Sequence, residues 1–448
     1  MRHTKRPRRP SRKIRSPLRA RQHAAPTPHP PVLYHPPVSS QDLLCAAAID
    51  HLESLSLTES WFSTLPSHIG HSPTLDAATR AFISANRFLL NSRDASLAVC
   101  LRDYVRAIES QRNLTSSPTG RLSDEALLSC ALLGHFERTM GQRSGPGART
   151  QTMQQTLMHL SAMQKMLLSR LNSFKTHELD YRLVSGHYML LLEAPIATGK
   201  PSAFERLANP DPRTIAKEAN VSAATRLRRL AFELMLHTPR LIADVRAAKA
   251  GLMSDTELQR LHQRAQSLLS LKDDASETTL LHRVSVRPSN ADATGLTPFS
   301  FVFPTLVDFD AGFNYWHARI LVLRACWLLD IPSARASMLA EGRRAATNIL
   351  MSWQAGCSLF HRIRLLHAAV PVWGSISDFG VKVCETIDVR QRLLERVNNL
   401  YRGIVGETDM ERLDMMSGVY AGEPLQGPVV GLYRQFWAVD EGVRREEG

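Results

Sequence analysis

The densest group of cationic side chains lies at the start of the chain, where residues 1–22 hold ten lysines and arginines and no acid. Such a run binds phosphate groups and is typical of nuclear import signals. The candidate contacts are Lys5, Arg6, Arg8, Arg9, Arg12, Lys13 and Arg15. We therefore expect nuclear import through an import receptor, with phosphate contacts to DNA. A solvated tail that binds no receptor is the alternative.

The remaining 426 residues carry 45 bases and 42 acids, so residues 1–22, the basic leader, hold most of the net charge of +13. A flexible basic segment binds DNA in a salt-sensitive way that is blind to sequence. Base-specific reading needs a rigid element in a groove, and no segment is a candidate. We expect weak, non-specific DNA binding at most. A mitochondrial presequence is a weaker rival, because Pro7, Pro10 and Pro17 interrupt the amphipathic helix it needs.

Two short motifs resemble catalytic signatures and fail on spacing. The Thr-Gly-Lys run at 198–200 would need Gly and Ser or Thr where Ala194 and Pro201 stand in order to cradle a phosphate. The His-Glu pair at 177–178 lacks the second histidine of a metalloprotease helix, because Tyr181 occupies its place. Neither motif predicts an active site.

Close acidic pairs and cationic pairs are expected to be structural or solvated. Asp273-Asp274 and Asp308 with Asp310 lack the spacing of the magnesium-binding boxes of all-helical terpenoid synthases, which favours solvated loop and cap residues. The arginines at 226, 228 and 229 and at 343 and 344 are interpreted as solvated helix faces, because no aromatic residues are interleaved with them. The sequence therefore predicts no catalytic, cofactor or metal site, and a protein that is not an enzyme.

Six cysteines occur along the chain, and no two lie closer than 27 residues. This spacing favours reduced, buried thiols over a disulfide framework. No apolar run is long enough to cross a membrane and no secretory signal is recognisable, so we expect no membrane contact.

Apolar residues recur at helical spacing, which predicts an all-α fold: a multi-helix bundle or stacked helical pairs with a disordered basic tail. Ser72 is expected to cap a first helix that begins at Pro73. A second helix is expected to bury Leu97, Cys100 or Leu101, Tyr104 and Ile108. A third, capped by Ser123, is expected to bury Leu128, Ala131, Leu132, His135 and Phe136.

Composition divides the chain into four segments. Residues 1–40 form a disordered, basic, Pro-rich tail, since nine of the 25 prolines precede residue 38. Residues 41–272 form an N-terminal helical part, with a break or kink expected at Pro239. Residues 273–304 are expected to be a linker or long loop, in which FSFVF is the one strand-like run. Residues 305–448 form the C-terminal helical part of the same domain.

Two regions carry a resemblance to a known family. The entry LPSHIGHSPTLDAATRAF, the aromatic-bearing helix LRDYVRAIESQ and the helix SDEALLSCALLGHFER resemble the opening of the fungal transcription-factor regulatory domain. The runs RLLHAAVPVWGSISDF and RLLERVNNLYRGIVG are similar to its end. The resemblance spans roughly residues 57–405 and is loose in the middle.

The resemblance implies a nuclear transcription regulator whose helical domain serves regulation and protein interaction. In that family a binuclear zinc-cluster finger with six closely spaced cysteines precedes the domain. The six cysteines of this chain span residues 45–384, so the finger is absent and zinc would be expected only with it. The expected partners are the transcription machinery or a partner transcription factor, and homodimerisation is left open. A helical scaffold or corepressor without DNA contact is the alternative, and an all-helical enzyme acting on an apolar substrate is a weaker one.

Overall fold

The computed structural model describes residues 39–54, 61–89, 96–141, 146–172, 178–209, 215, 221–289, 296–331, 334–358, 362–382, 388–405 and 409–423. The predicted all-α class is confirmed, because the described residues form fifteen α-helices and one β-hairpin. Of the expected disordered tail at residues 1–40, residues 1–38 lie outside the described residues, and Ser40 already begins the first helix.

The helices, numbered in chain order, are α1 (Ser40–Ser54), α2 (Pro73–Leu89), α3 (Leu97–Thr115), α4 (Pro118–Arg121), α5 (Asp124–Gly141), α6 (Pro146–Asn172), α7 (Glu178–Thr198), α8 (Ala223–Lys249), α9 (Asp255–Ser270), α10 (Asp274–Arg283), α11 (Leu306–Leu328), α12 (Arg335–Ser358), α13 (Arg362–Asp378), α14 (Val389–Val405) and α15 (Met410–Ala421). Short 3₁₀ helices cover Trp61–His68 and Ala203–Leu207. Strands β1 (Ser285–Pro288) and β2 (Phe299–Val302) pair antiparallel, with Ser285 opposite Val302.

Side-chain caps fix where several helices begin. The predicted start of α2 at Pro73 is confirmed. Ser254 caps α9 in a capping box, because its hydroxyl accepts from the Glu257 amide while the Glu257 carboxylate accepts from the Ser254 amide. Thr305 caps α11 by accepting from the Asp308 amide. These bonds satisfy amides that a helix leaves unpaired in its first turn.

Helix α5 follows its prediction closely. The Ser123 hydroxyl accepts from the Ala126 amide at 3.1 Å, so the expected cap is confirmed. The expected apolar residues of this helix are all buried, and His135 alone of the predicted set is half-buried. The helix packs against α2, α3 and α6, which places it inside the N-terminal helical part.

Helix α11 is the centre of the C-terminal helices and packs against α8, α12, α13 and α15. Its side chains are buried on nearly every side, with Phe313, Trp316 and Ile320 no more than 1% exposed. A helix that is apolar around its circumference belongs inside a bundle. One continuous hydrophobic cluster of described residues, from Leu44 to Tyr420, includes this helix and residues of the N-terminal helical part.

Two arginines lie in this apolar helix, and the first, Arg319, is buried because it has a full set of acceptors. Its guanidinium donates to the carbonyls of Leu268, Leu269 and Leu271 at 3.0–3.2 Å and pairs with Glu341. These carbonyls belong to the C-terminal end of α9, where a cation is favoured by the helix dipole. A buried charge without such partners would cost several kcal/mol, so the contacts explain its position.

The segment 273–304 differs from the expected linker or long loop. It contains α10, which begins because the Asp273 side chain accepts from the Ser276 amide and which buries Leu280. The strand-like run forms β2, whose partner β1 lies in the same segment. Because prolines and polar residues are frequent in this region, the sequence pattern predicted a loop and did not reveal the capped helix.

Of the break or kink expected at Pro239, the break is absent, since α8 runs continuously from Ala223 to Lys249. Pro239 is buried there, and the neighbouring Thr238 hydroxyl donates to the Leu234 carbonyl at 2.7 Å. Tertiary packing of a long helix outweighs the loss of one backbone hydrogen bond.

Helix α15 was not predicted from the sequence. Asp409 caps its first turn by accepting from the Arg412 amide, and Gly422 ends it in the left-handed conformation. Among the described helices, none combines the length and apolarity that a membrane span requires.

Candidate functional site

The expected import and phosphate-contact residues from Lys5 to Arg15 lie outside the described residues. The structure therefore places none of them. Within the described part, two places are candidates for a functional site. One is the outer face of α3, which exposes apolar and cationic side chains, and the other is a cluster of charged side chains between α8 and the 3₁₀ helix Ala203–Leu207.

Helix α3 begins because the Ser96 side chain accepts from the Val99 amide at 3.3 Å. Its inner face carries Cys100, Ala107 and Gln111, which are buried, and the helix packs against α2 and α5. The Gln111 amide donates to the Ala126 carbonyl at 3.0 Å, which satisfies a polar donor inside the interface. Together with the small side chain of Ala107, this hydrogen bond fixes the rotation of α3 about its own axis.

With this rotation of α3, the residues that are buried differ in part from those predicted. Leu97, expected to be buried, is 47% exposed, and Leu101, one of two alternatives for the next buried position, is 46% exposed; Val105 is 52% exposed. Cys100, the other of the two alternatives, is fully buried, while Tyr104 and Ile108 are half-buried. The spacing of four residues from Leu97 to Leu101 to Val105 places them along one side of the helix. We call these three residues the α3 stripe.

Tyr104 joins α3 to α6 beside the stripe. Its ring stacks on Phe136 of α5 with centroids 4.4 Å apart, and its hydroxyl lies 3.2 Å from Nε2 of His159 on α6. Burial, and then the neighbouring Glu137 carboxylate, raises the pKa of Tyr104, while burial lowers the pKa of His159 to about 4. Both groups are therefore neutral at pH 7, and their hydrogen bond is a structural link. Met158, the residue before His159, is 62% exposed.

Cationic side chains border the stripe on its outer side. Arg102, Arg106 and Arg112 of α3 are exposed, with Glu109 as the exposed acid of the same helix. The other acid of α3, Asp103, is half-buried, accepts from the Ser84 hydroxyl of α2 at 2.8 Å and lies 4.0 Å from the Arg102 guanidinium. The outer face of α3 therefore combines an apolar stripe, which offers no group that would contact a phosphate, with a basic border.

The second place is the cluster around His237. Its Nδ1 lies 3.3 Å from Oε1 of Glu205, and its Nε2 lies 3.4 Å from Oε1 of Glu233. Arg240 donates from Nε to the other Glu205 oxygen at 2.5 Å. Glu233 also accepts from the Asn209 amide at 2.8 Å. We call these side chains the α8 charge cluster.

Charge balance in this cluster shifts two pKa values. Burial alone would lower the pKa of His237, but hydrogen bonds and attraction from Glu205 and Glu233 raise it to about 9. For Glu205, burial acts to raise the pKa, and the contacts with His237 and Arg240 outweigh it, so the net shift of the pKa is downward. The imidazole is therefore a cation at pH 7 and is held between two carboxylates.

An open cavity of about 380 Å³ adjoins the cluster. It is lined by Pro201, Ser202, Ala203, Glu205, Arg206 and Arg240. Both oxygens of Glu205 are engaged, by His237 and Arg240, and Arg206 donates to the Asn172 side chain at 3.3 Å. These contacts fasten residues 201–207 to α8 and to the end of α6.

The Thr-Gly-Lys run at 198–200 forms a helix C-terminus. The Gly199 amide donates to the Ile196 carbonyl and the Lys200 amide to the Pro195 carbonyl, at 3.3 and 3.0 Å. Gly199 has a φ of +67°, the left-handed conformation that ends a helix. Amides used in this way are not free to cradle a phosphate.

Several arginines expected to be solvated bind carboxylate or carbonyl partners. Arg226 donates to Asp273 at 3.2 Å and to Ser276 at 2.9 Å, and Asp273 is 8% exposed. Arg344 pairs with the buried Glu277 at 3.1 Å. The expectation of a solvated side chain is wrong for Arg226, which is half-buried against Asp273 and Ser276, whereas Arg344 is exposed as expected although it pairs with α10. Asp273 is a cap, as one part of the expectation had it, but it is not solvated.

Two further members of the expected solvated set are engaged in the C-terminal part. The Arg343 guanidinium donates to the Phe379 carbonyl. Asp308 is 1% exposed, accepts from the Thr305 hydroxyl at 2.7 Å and pairs with Arg283 at 3.0 Å. The expectation of a solvated Asp308 is therefore wrong, because the first turn of α11 packs against the end of α10.

Metal and thiol chemistry can be assessed for the described residues. Among them, no group of three or more His, Cys, Asp or Glu side chains is arranged to hold a metal ion. Cys45, Cys100, Cys130 and Cys326 are free thiols; the last three are buried and Cys45 is half-buried.

Comparison of the chain with protein-family models, with curated proteins and with solved structures gives no significant match in any of the three.

Proposed function

We propose that this chain is a nuclear transcription regulator that lacks a DNA-reading finger and whose helical domain serves regulation and protein interaction. The observation that carries the proposal is the basic leader: ten cations, no acid and three prolines within 22 residues. That composition suits recognition by an import receptor and attachment to phosphates. The resemblance of residues 57–405 to the fungal regulatory domain supports it.

Import is tested by localisation in fungal cells. The chain is fused to a reporter large enough to prevent passive entry, and Lys5, Arg6, Arg8 and Arg9 are replaced together by Ala. We expect nuclear accumulation of the parent fusion and its loss in the variant. A control replaces the exposed Arg260 and Arg287 of the helical body by Ala and should stay nuclear. A cytosolic parent fusion would contradict the proposal.

DNA attachment is tested separately with purified protein. Neutralising phosphates releases counterions, so binding through the leader should weaken steeply as salt rises, with a slope of about −0.9 per phosphate contact. We expect equal affinity for unrelated duplexes and loss of binding when residues 1–22 are removed. A footprint at a defined sequence would contradict this part of the proposal.

A helical scaffold or corepressor that never contacts DNA is the second candidate. The exposed α3 stripe favours this candidate and the nuclear regulator equally. The two differ in how promoters are reached. Chromatin occupancy that survives removal of residues 1–22 in a chain carrying an independent import signal would favour the scaffold; occupancy that disappears would favour attachment through the leader.

An all-helical enzyme acting on an apolar substrate is the weaker candidate. The open cavity beside Glu205 does not favour it, because charged side chains line the cavity and are bound to structural partners. Turnover of an apolar metabolite by the purified chain would establish it instead.

A further inference from the structure

We propose that the outer face of α3 binds an acidic amphipathic helix of a partner protein. The inference rests on the proposed role in protein interaction and names the chemistry of the partner. It starts from the three residues of the α3 stripe, all of which the fold places outside, although the sequence pattern assigns Leu97 to the core and offers Leu101 as an alternative to Cys100 there.

The stripe has the dimensions of a helix-docking site. Leu97 and Val105, with Leu101 between them, lie eight steps apart, or about 12 Å along the axis at 1.5 Å per residue. A partner helix presents apolar side chains at positions i, i+4 and i+7 over the same length. The half-buried Tyr104 and Ile108 adjoin the stripe on its inner side and widen the apolar surface.

The inner side of the stripe is bounded by α6. The bond between Tyr104 and His159 fixes α6 beside α3, and Met158 adds an exposed, flexible apolar side chain next to that bond. Methionine adapts its shape to different partners. The partner helix therefore lies along α3 with α6 at one side.

The outer side of the stripe is cationic. Arg102 and Arg106 each follow a stripe residue by one position and so lie about 100° further around the axis. Arg112 follows Val105 by seven residues, or about two turns, and extends the exposed side toward the C-terminal end of the helix. With Glu109 as the single exposed acid of α3, the border carries a net positive charge. Arg80 of the adjacent α2 is exposed as well.

The positive charge of this border determines which kind of partner fits the surface. Acidic residues beside the apolar face of a partner helix would meet Arg102 and Arg106, which raises the association rate and fixes orientation. A second copy of this chain using the same face would bring arginines against arginines, which is unfavourable. Nucleic acid would leave the apolar stripe without a partner. An acidic amphipathic helix satisfies both parts of the surface.

The test uses a defined probe and the full chain. The probe is a fluorescein-labelled synthetic peptide of about 18 residues with Leu at positions i, i+4 and i+7 and Glu at most others, long enough to form a helix. Binding is measured by fluorescence anisotropy. We expect saturable binding that weakens as salt rises, and at least about tenfold weaker binding of a peptide in which Lys replaces Glu. Equal binding of both peptides would contradict the proposed charge selection.

Variants locate the site. Leu101→Asp with Val105→Asp should weaken binding at least about tenfold, whereas Leu252→Asp, at a 78% exposed leucine between α8 and α9, should not. Arg102→Glu with Arg106→Glu should weaken binding of the acidic peptide and strengthen that of the basic one; Arg260→Glu on α9 is the control. Circular dichroism and thermal unfolding of each variant show whether it is folded.

A measurement on the unaltered chain guards against variants that fail to fold. A photoreactive benzoylphenylalanine replaces one Leu of the acidic peptide, and cross-linked residues are mapped by mass spectrometry. Cross-links within residues 97–112 or at Met158 support the proposal, and cross-links confined to other surfaces overturn it.

Sedimentation velocity gives a further outcome. A dimer that the double Asp variant dissociates would assign the face to a second copy and overturn the proposal of an acidic partner helix. Binding in solution does not depend on import, so failure of this proposal is distinguishable from failure of the proposed nuclear function.

Discussion

The Nδ1 atom of His237 lies 3.3 Å from the Oε1 atom of Glu205, and this contact joins α8 to the 3₁₀ helix Ala203–Leu207. With Glu233 on its other side, the imidazole is a structural cation. Its proton is therefore part of what holds residues 201–207 in place.

The stability of the chain should fall at alkaline pH through His237. Its pKa rises from 6.5 to about 9 on folding, so the folded state keeps a proton that the unfolded state has lost. The contribution is fully present below pH 6.5 and is lost as pH rises through 9. In urea titrations monitored by circular dichroism, His237→Gln should flatten the decline in the free energy of unfolding between these two pH values. His262→Gln on α9 is the control, and equal slopes for the parent and H237Q would contradict the assignment.

Removing Arg170 should strongly destabilise the chain. Its guanidinium lies 3.0 Å from Asp180, whose side chain is fully buried, and 2.6 Å from Asp124. Arg170→Met leaves Asp180 buried without its cation, an effect of about 3–5 kcal/mol. Arg182→Met breaks an exposed pair with Glu178 and should change the free energy of unfolding by less than about 1 kcal/mol. Similar effects in denaturant titrations would show that burial does not distinguish the two pairs.

Replacing Gly342 by Ala should lower the stability of the chain, although alanine stabilises most helix interiors by about 1 kcal/mol relative to glycine. A Cβ atom at this position in α12 would clash with the ring of Phe379, which is fully buried. Overpacking of this kind destabilises by about 1–3 kcal/mol. Thermal unfolding should show a loss for Gly342→Ala and a smaller further loss than additivity predicts when Phe379→Leu is added. An additive double variant would rule out the steric explanation.

Thiol reactivity should separate the cysteines by burial. Burial raises the pKa of Cys130 and of Cys326 to about 12, and burial together with Asp103 raises the pKa of Cys100. Thiolates react and thiols do not, so brief treatment of the native chain with iodoacetamide should modify Cys45 before these three. Peptide mass spectrometry with a denatured control measures this order, and rapid modification of Cys130 would be incompatible with it.

Sequence patterns predicted helices well where one face alone is apolar. Helix α2 begins at Pro73 as expected, and it buries Leu75, Ala78 and Phe82, which recur at helical spacing. Helix α3 has apolar residues on two sides, around Cys100 and Ala107 and along the α3 stripe. Spacing alone does not choose between them. The choice follows from the close approach of α2 and α5 and from the hydrogen bond of the Gln111 side chain, which are tertiary contacts.

The buried charges were beyond prediction for a related reason. Arg319 and Arg324 stand in an apolar helix, where nothing in the local sequence marks their acceptors. The partners of Arg324 are Asp378 and the Ser417 carbonyl, 54 and 93 residues away along the chain. The exposed α3 stripe could have been suspected from the arginines at 102 and 106, since each directly follows one of its apolar residues.

Arg319 binds three carbonyls at the end of α9 from a position in α11, across the hairpin and the segment that joins them. The two parts of the chain on either side of residues 290–295 therefore do not form exchangeable modules. A fragment ending before residue 306 would leave those carbonyls without their donor, and one beginning there would leave the Arg319 guanidinium with Glu341 but without its three carbonyl acceptors. Recombination between related proteins at this point would break the contact unless both sides were inherited together.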